Sequence, residues 1–280
     1  MNRRDFLGYV AAGCAAGVGG GLLPGTRISL CAAGGRFRIS GGDEFALAPL
    51  REFVAGNGLQ APPPPGGGLA DFKYLLQEWR SHDGGRKVAG FSREFGYLRV
   101  IRRRDGDATV YNLDRSESAT RIRAKLRREG GPDGRLSWDL TQSPRTPEGE
   151  ALGLVTEVAG SAGGGRWERT VNGRRESGEC AGAVVADCEL LTGGLDFDAL
   201  AGAGIFTFFS HEACFQGQAE CRLRRGAPVA IAGPDGSLQV TPFGLTGARH
   251  QPQHYLVAEG RGYASAFTEF AVSMTLDSLS

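Results

Sequence analysis

Arg121-Ile122-Arg123-Ala124-Lys125-Leu126-Arg127 alternates charge and hydrocarbon at every step. A period of two puts Ile122, Ala124 and Leu126 on one side of an extended chain and the four cations on the other. A strand with one face on a core and one in water belongs to an antiparallel sheet. Turn chemistry on both sides agrees. Asp105-Gly106 links one pair of runs, and Asn172-Gly173 separates Arg166–Val171 from 174–176 as a two-residue hairpin turn does. Gly-Pro-Asp-Gly occurs at 131–134 and at 233–236 with dissimilar flanks, so it reads as shared turn chemistry and not as a duplication. Phe270, Val272, Met274 and Leu276 alternate with Ala271, Ser273 and Thr275 and predict a closing strand. For residues 86–280 the expectation is a mainly β (α+β) domain: a curved antiparallel sheet or open barrel of roughly eight to twelve strands, with a few short helices packed on it.

Ahead of this domain two stretches read as helices, 44–55 (EFALAPLREFVA) and 69–79 (LADFKYLLQEW). In the second, Leu69, Phe72, Leu75, Leu76 and Trp79 recur at helical spacing as one apolar stripe. Between them, 56–68 contains four consecutive prolines (62–65) followed by three consecutive glycines (66–68), the composition of an extended spacer. Residues 34–85 are therefore expected to form a helical appendage. Within the β domain, 195–209 (LDFDALAGAGIFTFF) predicts a short helix running into an apolar strand. Ile205, Phe206, Phe208 and Phe209 then either fill the core or line an apolar cavity.

Composition narrows the function. Hydrophobic residues make up 41% and charged residues 22%, enough to bury a core and too few charges for a disordered chain. Glycine is abundant, 45 of 280, without a collagen period. A net charge of +1 argues against nucleic acid as a partner. Past residue 33 no apolar run is long enough to cross a membrane as a helix.

The first residues read Asn2-Arg3-Arg4-Asp5-Phe6-Leu7. Arg3 and Arg4, one variable residue, then Phe6 and Leu7 resemble the twin-arginine (Tat) export signal. The weakly apolar stretch that follows, with Arg27 and then Cys31-Ala32-Ala33, completes the likeness, which covers residues 1–33 alone. It implies a bacterial protein exported folded by the Tat translocase to the periplasm or beyond, touching the membrane only through this leader. An uncleaved leader would instead leave it anchored at its N-terminus.

Chemistry-bearing clusters are few. The 86–135 segment carries 14 basic and 7 acidic side chains. Arg99, Arg121, Arg123 and Arg127 on its strands are candidates for an anion-binding face, with a solvated, ion-paired face as the alternative. Phe206 and Phe208 are candidates for the apolar part of an amphiphilic ligand. Cys180, Cys188, Cys214 and Cys221 are expected as two disulfides, Cys180–Cys188 and Cys214–Cys221. His250 and His254 have helical metal spacing, but Pro252 breaks the helix and no metal or cofactor is expected. His211-Glu212 beside Cys214 is ambiguous. Asp196, Asp198, Glu212 and Glu220 are the carboxylates open to a glycosidase role, with helix capping as the plainer role for the first two. No Gly-x-Ser-x-Gly, P-loop or dinucleotide fingerprint is present. The expectation is a non-enzymatic exported protein binding a lipid or an anionic glycan. Its outline is similar to periplasmic half-barrel lipid carriers, a likeness of architecture without a motif. The alternatives are an exported polysaccharide hydrolase and an accessory subunit of an exported redox enzyme.

Overall fold

Period-two alternation becomes strand nearly everywhere it occurs. A computed structural model describes residues 36–39, 43–46, 69–82, 87–130, 134–146, 148–233, 236–247, 250–258, 260–267 and 272–279. β1 (Arg36–Ile39) and β2 (Asp43–Ala46) form a separate two-stranded ladder. The chain then runs through β3 (Leu69–His82), β4 (Lys87–Asp105), β5 (Ala108–Glu117), β6 (Thr120–Arg128), β7 (Leu136–Pro144), β8 (Thr156–Gly163), β9 (Arg166–Val171) and β10 (Arg174–Glu179). β11 (Ala183–Ala186), helix α1 (Asp187–Leu191) and helix α2 (Phe197–Gly202) follow. β12 (Ile205–Phe209), β13 (Gln218–Arg225), β14 (Val229–Gly233), β15 (Gly236–Gly247), β16 (His250–Ala258), β17 (Arg261–Phe267) and β18 (Val272–Leu279) complete the order.

β3 to β18 make one sixteen-stranded sheet, curled as a half-barrel, in the order β10-β9-β8-β7-β6-β5-β4-β3-β18-β17-β16-β15-β13-β12-β11, with β14 on β15. The expected mainly β class holds, with more strands than the composition of turns indicated. The pairs are antiparallel except β11 with β12. A parallel pair needs a crossover, and α1 and α2 supply it. Asn172 and Gly173 both take positive φ, 47° and 84°, the two-residue turn whose twist matches the flanking strands of β9 and β10. Both Gly-Pro-Asp-Gly segments fall between strands that pair with each other, β6 with β7 and β14 with β15.

The stretch 69–79 is a strand and not the helix its apolar stripe suggests. Phe72, Tyr74 and Leu76 satisfy period two as well as helical spacing, and all three are fully buried. Pairing decides between the two, because β3 lies between β4 and β18 in the middle of the sheet. Leu69–His82 is thus built into the β domain. Of the expected 44–55 helix, 44–46 belong to strand β2 and 47–55 lie outside the described residues, as do the expected 56–68 spacer and the expected 1–33 leader.

The sheet's two faces differ sharply. Val100, Leu113, Ala124, Leu140 and Val158 form a continuous cross-strand row on the core face of β4–β8. Against it lie α1, β12 and the loop after β12. Trp138 packs 5.1 Å from Phe209 and 5.7 Å from Phe215, and Trp167 meets Phe209 edge-on at 6.4 Å. The hydroxyl of Tyr74 lies 2.7 Å from the Leu191 carbonyl and 2.9 Å from that of Gly262, pinning α1 and β17 to β3. The opposite face of β4–β10 is polar.

Candidate functional site

The polar face is where the sequence-predicted arginines meet. A groove of about 720 Å³ runs over β4–β9. Arg99, Arg121, Arg123 and Lys125 line it together with Asp114, Asp139 and Glu157. Asn112, Thr141, Ala159 and Thr170 make a floor of short side chains. Cross-strand register sets this arrangement, since Arg99, Asp114, Arg123, Thr141 and Glu157 are successive partners across five strands. Lys125 stands between Asn112 and Asp139 in the next row.

These cations are not equivalent. Arg121 grips Asp114 through two hydrogen bonds, 2.8 and 2.6 Å, and these bonds hold the Asp114 carboxyl below its usual range against the opposing effect of partial burial. Arg99 is bound to Asp71 from Nε at 2.9 Å and again through Nη2. Arg127 lies outside the groove and is held by Asp105 at 2.5 Å and Glu129 at 3.1 Å. The Arg123 side chain, 61% exposed, approaches Asp114 only to 3.9 Å, and neither it nor the Lys125 side chain makes a hydrogen bond among the described residues. The basic band is therefore an ion-paired face with two uncommitted cations at its centre. Phe206 and Phe208 are fully buried in the core and do not line this groove.

A second cluster lies on the core face. Asp187 at the start of α1 accepts from the Cys188 N–H at 2.7 Å, the His211 N–H at 2.9 Å and His211 Nδ1 at 2.5 Å. Burial alone would raise the Asp187 pKa; the His211 ring and these N–H donors outweigh it and hold the carboxyl low. On the far side of the ring, Nε2 lies 3.1 Å from Arg115 Nη1. Arginine only donates, so Nε2 accepts and the Nδ1 proton points at Asp187. Arg115 also binds Glu117 at 2.5 Å and Glu212. Burial works against its charge, but the two carboxylates more than compensate and raise its pKa further. Beside this cluster the Tyr255 hydroxyl has no hydrogen-bond partner among the described residues, and burial, reinforced by the Asp187 and Glu212 charges, pushes its pKa well up.

This Asp–His pair resembles the orienting half of a nucleophilic triad, but the nitrogen that would deprotonate a nucleophile is occupied by Arg115. The cluster positions a loop. Cys214 and Phe215, consecutive residues with φ of 50° and 51°, occupy the left-handed region that side chains enter at a cost. Arg169 from β9 binds the Ala213 and Cys214 carbonyls at 3.2 and 2.8 Å, so the strained turn is clamped from both ends.

The remaining candidates resolve individually. Asp196 caps α2, accepting from the Asp198 and Ala199 N–H groups, and Asp198 pairs with Arg225 at 2.8 Å. The expected disulfides are not formed. Cys188 points into the core from α1, whereas Cys180 lies near Thr207. Cys214 Sγ donates to Gln142 Oε1 at 3.3 Å, and Cys221 Sγ to the Gln218 carbonyl at 3.4 Å. Each thiol thus faces a different partner, and burial pushes the Cys221 thiol up to about 12. His250 and His254 lie on strand β16, where their spacing places them far apart along the chain. Among the described residues no group of three or more His, Cys, Asp or Glu side chains is arranged to hold a metal, and no helix is long and apolar enough to cross a membrane.

Lys125, Asp139, Thr141 and Glu157 are groove residues that the arginine count does not single out. The alternation of Ser137, Asp139 and Thr141 with Leu136, Trp138 and Leu140 carries the same signal as 121–127. Arg115 and Asp187 carry no local signal, because their partner His211 is distant in sequence. Comparison with protein-family models, curated proteins and solved structures finds no match to this chain.

Proposed function

We propose that this chain is an exported, non-enzymatic binding protein that takes an anionic ligand on the polar groove over β4–β9, with Arg3, Arg4, Phe6 and Leu7 directing twin-arginine export. The observation that carries the reading is the pair Arg123 and Lys125, two cationic side chains without hydrogen bonds among the described residues, standing over a floor of short side chains. An incoming carboxylate or sulfate has to displace only the long Arg123–Asp114 contact, whereas Arg121 and Arg99 are already committed to bidentate pairs. The apolar half of an amphiphile has no support, because Phe206 and Phe208 are packed into the core.

Binding to immobilised polygalacturonate tests the reading. The wild-type chain is expected to be retained at low salt, and Arg123→Glu with Lys125→Glu to weaken retention by about tenfold or more at unchanged Tm. Equal retention of the variant, or none of the wild type, overturns it. Arg121 and Arg127 are poor targets, since reversing either sets a carboxylate beside the acidic partner it now neutralises.

A further inference from the structure

We infer that the ligand of this face is an acidic polysaccharide lying across the strands from β4 to β10, held in a row of subsites and not in one pocket. The inference rests on the anion-binding reading above. The groove has neighbours that share its walls. Ala159 and Thr170 line both it and a second hollow of about 580 Å³, which continues over Ser137, Ser161 and Arg175. Arg135, Ser161, Glu168 and Ser177 are shared in turn with a third, of about 560 Å³, ending at Arg166 and Trp167. Hollows that share walls form one trough. From β4 to β10 there are six strand intervals. At about 4.8 Å each they span roughly 29 Å, the reach of roughly six extended sugar units.

The lining matches such a polymer in charge and in hydrogen bonding. Apart from Arg169 and Glu176, which pair with each other on the core side, seven cationic and four anionic side chains line the three hollows, an excess of three positive charges on one face of a chain whose net charge is +1. Between the cations stand acceptors and hydroxyls: Glu157, Glu168, Thr141, Thr170, Ser161 and Ser177. Sugar hydroxyls donate to these groups while sugar carboxylates or sulfates meet the arginines. A phosphodiester chain gains only repulsion from the carboxylates, and its bases need aromatic platforms. The one aromatic residue among those lining the three hollows, Trp167, turns its ring to the core against Phe209.

Calorimetric titration of the full chain with oligogalacturonates and heparin-derived oligosaccharides, from dimer to octamer, tests this, with oligo-dT as a competing polyanion. At least one series is expected to tighten by about tenfold or more from dimer to hexamer and to level off beyond it. Arg175→Glu, at the opposite end of the trough from Arg99, is expected to flatten that dependence. A dimer that binds as tightly as the hexamer reduces the site to one anion pocket: the trough fails and the anion-binding reading stands. Binding by neither series overturns both. Tighter binding of oligo-dT than of either series overturns the polysaccharide assignment.

Discussion

Asp187 shows how a buried charge is kept. It is 4% exposed, yet three N–H groups converge on its two oxygens, and the net effect is a carboxyl more acidic than in the unfolded chain. A group whose folded pKa is depressed stabilises the native state above its unfolded value, here 3.8, and the contribution is withdrawn as pH falls through the lower folded value. Thermal unfolding followed from neutral pH down through this range is therefore expected to show a loss of Tm at its acid end that Asp187→Asn shares only in part. At neutral pH the same variant should be less stable by ~1–3 kcal/mol, the cost of weakening hydrogen bonds to a buried charge. Identical acid profiles for the two proteins would show that Asp187 carries no such contribution. Arg128 and Glu189, paired at 2.5 and 2.8 Å with both side chains almost wholly buried, follow the same logic: the pair adds little over an apolar substitute, but either member alone would be a stranded charge.

Between elements, contact distance and register decide what local pattern leaves open. Gly160 on β8 sits beneath the Trp138 indole, and a Cβ there would come within 2.6 Å of the ring and 2.5 Å of the Glu168 carbonyl. Both neighbours are fixed, one by aromatic packing against Phe209 and Phe215 and one by pairing of β8 with β9. Gly160→Ala is expected to cost ~1–3 kcal/mol by overpacking. The urea midpoint should fall and the near-ultraviolet signal of Trp138 should change, whereas an unaltered midpoint would mean that β8 yields freely. The same contrast explains what was legible. The 121–127 alternation names its strand, its core face and the groove cations Arg121, Arg123 and Lys125, because a half-buried strand needs nothing beyond its own period. The 69–79 stretch fits two periods, and only its partners β4 and β18, which lie far apart in sequence, select the strand. The groove was half legible for the same reason: its cations lie in the alternating segments, but their commitment or freedom depends on Asp71, Asp114 and Asp105 on neighbouring strands. Short cysteine spacing misled because each thiol turns to a different element.

Over the whole molecule, the sheet joins the two ends of the described β domain. β18 pairs with β3, and Lys73 meets Asp277 at 2.9 Å across 204 residues of chain. Such long-range pairing makes for slow folding that is complete only when the last strand is present. The β10 edge, Arg-Arg-Glu-Ser-Gly-Glu, carries charges that discourage pairing with another copy during that wait, while β11 ends the other side with α1 following directly. The export proposal rests on residues 1–33 alone and not on this topology. Replacing Arg3 and Arg4 together by Lys retains the charge and removes only the guanidinium pair. In an expressing bacterium that variant is expected to accumulate in the cytoplasm as a folded precursor that binds the same polyanions as the wild type, while the wild type reaches the periplasm. Truncation before Val272 opens β3 and β17 to solvent and is expected to block export as well, through misfolding and not through loss of the address. Undiminished periplasmic recovery of the double-lysine variant would overturn the twin-arginine assignment.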